Sequence, residues 1–155
     1  MTLLEVFTRL EFTWLGAAIR ESTWLFPAIE AVHLLGLALL GGAVLVVDFK
    51  LLGTGVRGLT PAELSREARP WLLAAIACMF LTGVPLFLSE AVKCYYNTSF
   101  WVKMTGLAIA LTYTFGVRGK VLALTPGDWR QRLGGGFSLA VWLTVAAAGR
   151  WIGFS

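Results

Sequence analysis

The chain has 155 residues, 57% of them apolar and 14% charged, against about 45–50% and about 25% in soluble proteins. That length holds one domain, taken as residues 1–155, and the composition is that of a membrane protein rather than of a soluble core. The net charge of +4 does not point to nucleic acid, because the cations sit between long apolar runs, as they do where Lys and Arg accumulate on the cytoplasmic side of a membrane.

Residues 2–19 place Leu3, Leu4, Phe7, Leu10, Trp14 and Leu15 near helical spacing, with Glu5 and Arg9 four apart. This predicts an amphipathic helix on the membrane surface. Glu5 and Glu11 argue against a signal peptide, which starts basic and runs into an apolar core.

Four spans follow, because a bilayer core about 30 Å thick needs about 20 helical residues. They are expected at about 24–48, 71–91, 100–118 and 136–154. The whole is expected to be all-α: an integral membrane four-helix bundle with an N-terminal surface helix. Between the first two spans, Thr60-Pro61-Ala62-Glu63 is a capping box with proline at the first helical position. It predicts a short surface helix ending before Pro70. Pro85 is expected to kink the second span. Thr125-Pro126-Gly127-Asp128 resembles the first capping signal, and Trp129 beside Arg130 and Arg132 reads as an interfacial anchor. Gly134-Gly135-Gly136 is expected to be a flexible turn.

Lys50, Arg57, Arg66, Arg69, Arg118, Lys120, Arg130 and Arg132 lie on one side of these spans, and Arg9, Arg20, Lys93, Lys103 and Arg150 on the other. The excess places the first and third loops in the cytoplasm and both termini in the periplasm of a bacterium. Cys78 and Cys94 should lie too far apart to be bridged.

The only imidazole, His33, stands inside the first span, one helical turn after Glu30 and about 14 Å below the start of the span. Ionisable groups at such depth are costly and usually face a protein interior, a cavity or a cofactor. The outer half of the bundle also gathers Glu90, Lys93, Lys103 and Arg150. One imidazole below cations suits b-type haem, with iron on His33, propionates at Lys103 or Arg150, and Met104 as the candidate second ligand. Five-coordinate iron, or a haem shared between two copies, is equally consistent with a single histidine. The bland alternative is a core histidine bonded to Glu30 or to a backbone carbonyl, with Met104 only packing. Glu30-x-x-His33 matches the spacing of di-iron bundles, but a second such motif is missing. No nucleophile-and-base pair and no phosphate loop is present, so a stand-alone enzyme is not expected.

Two further readings stand beside the redox one. The chain would be an accessory subunit of a larger respiratory or photosynthetic complex, or a proton- or ion-coupled transporter using Glu30, His33, Glu90 and Lys103. Ala38 with Gly42, and Gly149 with Gly153, are small residues four apart that allow close helix approach. They suggest a homo-oligomer or simple packing within the bundle. Asp48 is expected to pair with Lys50 or Arg118 as a structural pin.

Ser22-Thr-Trp24-Leu-Phe-Pro27, Glu30, His33 and Val47-Asp48-Phe-Lys-Leu-Leu-Gly53 resemble an uncharacterised bacterial family of four-span inner-membrane proteins, domain of unknown function 6644. Pro70-Trp71, Thr82-Gly83, Leu86-Phe87, Glu90-Ala91 and Phe100-Trp-Val-Lys103 fit the same resemblance, over residues 20–120. It implies topology and bacterial origin and assigns no role to any residue.

Overall fold

A computed structural model describes residues 2–154, and all regular structure among them is helical. The helices are α1 (Leu3–Glu11), α2 (Trp14–Glu21), α3 (Leu25–Leu51), α4 (Pro61–Ser89), α5 (Ala91–Tyr96), α6 (Thr98–Leu122) and α7 (Trp129–Ile152). Three of them, α3, α4 and α6, are long and apolar enough to cross a membrane. With 24 residues α7 has the length, about 36 Å, but its glycines and its arginines at 130, 132 and 150 make it less apolar.

The bundle is organised by one stripe of α3. Gly36, Leu40, Val44, Val47 and Leu51 are buried at intervals of three and four, which keeps them on one face. Leu40 and Val44 pack with Ala75 of α4, Ala110 of α6 and Trp142 of α7. Gly36 lets α4 come close: a Cβ there would stand 2.9 Å from Cys78 Sγ.

Several expectations are corrected. The N-terminal surface helix is two helices, because Thr13 ends one and caps the next, accepting from Gly16 N while its hydroxyl donates to Leu10 O. Both dock on the bundle. Phe7 is buried edge-on against Phe87 and Tyr95, and a Cβ on Gly16 would meet the Leu88 carbonyl at 2.6 Å. The helix opened by the Thr60–Glu63 capping box does not stop before Pro70 but runs on to Ser89. Each internal proline costs the carbonyl four residues earlier its helical donor, and the long helix absorbs both.

Gly134–Gly136 is not a turn. It lies within α7, whose start is capped by Asp128 after a turn at Gly127 with φ +91°. Its glycines are contact points. A Cβ on Gly134 would stand 2.7 Å from the Tyr113 hydroxyl, and one on Gly135 2.8 Å from Leu51 Cβ and 2.9 Å from the Asp48 carbonyl.

Midway along α6, Tyr113–Val117 forms a π-helical turn. A regular helix advances about 100° per residue, so Val117, seven positions after buried Ala110, would return to its face and Arg118 would sit about 80° away. A π turn rotates less per residue and shifts that phase. Val117 accordingly turns outward, 44% exposed, and Arg118 turns in, 4% exposed. There Arg118 Nη2 donates to Asp48 Oδ1 at 2.6 Å, with the carboxylate fully buried. Of the two cations considered for Asp48, Arg118 is the partner, while Lys50 donates to the Val56 carbonyl.

Two outcomes follow from these contacts. Gly135→Ala should lower the melting temperature in detergent, since both obstructing atoms belong to packed helix. Gly136→Ala, whose Cβ would meet only Leu52 Cδ2 at 3.9 Å, should leave it unchanged. Arg118→Leu should cost about 3–5 kcal/mol by stranding a buried carboxylate, and Asp48→Leu combined with Arg118→Leu should recover most of that, read by thermal unfolding of the single and double variants.

Candidate functional site

His33 lies three residues before Gly36 and continues the buried stripe of α3 by one turn. Its imidazole is half-buried and faces α4. The Thr82 hydroxyl donates to the Cys78 carbonyl at 2.6 Å. A hydroxyl has one proton, so the 2.7 Å contact between Thr82 Oγ1 and His33 Nδ1 requires the proton on Nδ1. Nε2 is left with its lone pair. Gly83 permits the ring to lie flush, its Cε1 being 3.2 Å from where a Cβ would stand.

Lys103 reaches into the same end of the bundle from α6. It is half-buried, its stem 3.6 Å from the Cβ position of Gly149, and it stands within electrostatic reach of His33 and Cys94. Among the described residues it forms no ion pair. His33 and Lys103 are thus brought together.

The other candidates are placed apart. Glu30 is exposed one turn earlier and does not bond His33; Thr82 takes that position. Met104 follows Lys103 by about 100° around α6 and is 42% exposed. Arg150 is exposed, its guanidinium 4.5 Å over the Phe154 ring. Glu90 and Lys93 pair with each other at 3.6 Å near the surface, an arrangement of little energetic weight. Thr82 is the residue that sequence reasoning missed as the partner of His33. Its signal was a hydroxyl beside a glycine in an otherwise apolar helix.

Above this group the chain is strapped down. Glu11 accepts from the Val92 amide at 2.6 Å, at the start of α5, and pairs with Arg20 at 3.5 Å. Arg20 in turn donates to the Ser89 carbonyl. Cys94 is buried below the strap, and burial, aided by the Glu90 charge, pushes its thiol up to about 11. A shallow groove between α6 and α7, lined by Val102, Thr144 and Ala147 among others, lies nearby but does not include His33.

The molecule is therefore an all-helical protein, with three helices able to cross a membrane, built around intrahelical polar residues at the two ends of one core. The chain belongs to a family of unknown function (DUF6644), whose sequence model matches residues 9–155. No curated protein and no solved structure matches it.

The thiolate is the reactive form of cysteine. Raising the thiol from 9.0 to about 11 lowers the thiolate fraction at neutral pH about a hundredfold, since each pH unit is a factor of ten. In a Cys78→Ser background, Cys94 should react with maleimide far more slowly than an exposed thiol at neutral pH and accelerate only as pH climbs toward that value. Rapid labelling at neutral pH, followed by mass spectrometry, would refute the burial argument.

Proposed function

We propose that the chain is a four-span redox protein of the bacterial inner membrane that binds b-type haem through His33 Nε2. The observation that carries this reading is the Thr82 clamp. Metal-bound histidines characteristically donate their second ring nitrogen to an oxygen, which fixes the tautomer and orients the ring. His33 has that arrangement, with Nδ1 tied to a hydroxyl that is itself tied to the Cys78 carbonyl. Bound haem would supply one-electron transfer at iron. His33 would hold the iron and position it, and Lys103, which has no ion pair among the described residues, would neutralise a propionate. Arg150 is a rim cation at the same end. Met104, on the outward face of α6, is available to a second copy rather than to the interior.

Several features support the rest of the reading. Leu133, Phe137, Leu143 and Trp151 expose apolar surface along α7, which suits a lipid-facing fourth span. With an even number of spans both termini would lie on one side, and the count of Lys and Arg favours the periplasm for them. Ala38 and Gly42 are exposed on α3, and no other described helix comes within 4 Å of where a Gly42 Cβ would be, so close approach of a second copy is open there. Gly149, by contrast, is used within the chain against Lys103. Closed symmetric homo-oligomers are the commonest assemblies. The transport reading is disfavoured by the apolar layer of Leu40, Val44, Ala75 and Ala110, which crosses the bundle below His33.

Protein purified in detergent after expression with ample haem should show a Soret band that is lost in His33→Ala and perturbed in Thr82→Val. No band in the parent protein would remove the haem reading and favour an accessory subunit, whose partner polypeptides native gels would display. In single-cysteine variants, Arg57→Cys should label from the cytoplasm and Tyr96→Cys from the periplasm. The reverse pattern would overturn the orientation.

A further inference from the structure

The Asp48–Arg118 pair leaves much of its hydrogen-bonding capacity unused. Among the described residues, Asp48 Oδ2 and Arg118 Nε are buried without a fixed partner, and so are the hydroxyls of Tyr113, Thr114 and Ser138 and the indole N–H of Trp142. These side chains come from three helices, and the most exposed of them, Thr114, is only 9% accessible.

They belong to one place. Ser138 of α7 lies beside the Asp48 carboxylate, and Tyr113 is within electrostatic reach of both Asp48 and Arg118. Thr114 follows Tyr113 in the π turn. Trp142 stands one turn from Ser138 on α7 and packs with Val44, which is one turn from Asp48 on α3.

An unmet buried polar group costs about 1–3 kcal/mol, so the four other than Asp48 Oδ2 and Ser138 would together take up much of the net stability of a domain, about 5–15 kcal/mol. Rotation of its hydroxyl satisfies Ser138 against Asp48. It cannot relieve Arg118 Nε–H or Trp142 Nε1–H, whose directions are set by planar groups. The cluster offers donors and acceptors mixed. Two obligate donors disfavour a cation, and the carboxylate disfavours an anion. Water both donates and accepts and settles where two to four polar partners converge.

We propose that this cluster is an internal water site, in which ordered water bridges Asp48 Oδ2 and Arg118 Nε to Tyr113, Thr114, Ser138 and Trp142. The π turn completes it, because its phase shift turns Arg118 inward to join Tyr113 and Thr114 on the buried face. Leu40, Ala75 and Ala110 separate it from His33, so the site stands whether or not haem binds there.

Radiolytic hydroxyl-radical footprinting tests it on the intact protein, since bound water generates radicals in place. Corrected for intrinsic reactivity, Tyr113 and Trp142 should be oxidised several-fold faster than Phe7, which is equally buried at 8% but lies among aromatic rings. Protection of Tyr113 and Trp142 equal to that of Phe7 would overturn the proposal. In a Ser138→Ala variant that melts like the parent, oxidation of Trp142 should fall several-fold; unchanged oxidation would likewise overturn it. A structure resolving ordered solvent should show water within hydrogen-bond distance of Arg118 Nε and Trp142 Nε1, and directly packed side chains with no water between them would refute it.

Discussion

The buried pair between Asp48 and Arg118 is the constraint on which the packing turns. A carboxylate and a guanidinium withdrawn from solvent lose several kcal/mol of hydration each, and only close, well-oriented contact offsets that loss. Every element around the pair is adjusted to keep the 2.6 Å contact. The π turn in α6 rotates Arg118 into the bundle. Gly134 and Gly135 bring α7 against Tyr113 and Leu51, closing the third side. Regular helix at 113–117 would leave a valine facing Asp48 and expose the arginine.

At the opposite end the polar residues are treated differently. His33 is held by one hydrogen bond and Lys103 by contact of its stem with Gly149. The charge of Lys103 is left without an ion partner among the described residues, and Nε2 of His33 keeps its lone pair. Asp48 and Arg118 meet each other directly, whereas His33 and Lys103 have no ion pair among the described residues. The strap formed by Glu11, Arg20 and Ser89 fixes the chain at this end.

Between the two ends lies the apolar layer of Leu40, Val44, Ala75, Ala110 and Trp142. Its aliphatic members, Leu40, Val44, Ala75 and Ala110, offer no polar atom that could relay a proton between the two polar groups. Trp142 belongs to both regions. Its ring packs in the layer, and its buried indole N–H has no partner among the described residues.

The amino-acid sequence by itself determined the helical class, the three most apolar helices, the Thr60–Glu63 cap and the place of His33 inside an apolar helix. These depend on local composition, helical spacing and the cost of an ionisable group in an apolar run. Even the face of His33 is legible, since it continues the spacing of Gly36, Leu40 and Val44. Membership of the family was legible as well, from short runs such as Thr82-Gly83 and Phe100-Trp-Val-Lys103. Only the tertiary structure decided the rest. Thr82 displaced Glu30 as the partner of His33 because helix contact, not sequence proximity, sets which side chains meet. Gly134–Gly136 became a packing surface because Asp48 and Tyr113 approach from other helices. Arg118 turned inward because long-range pairing with Asp48 stabilises a π turn that no local periodicity foretells.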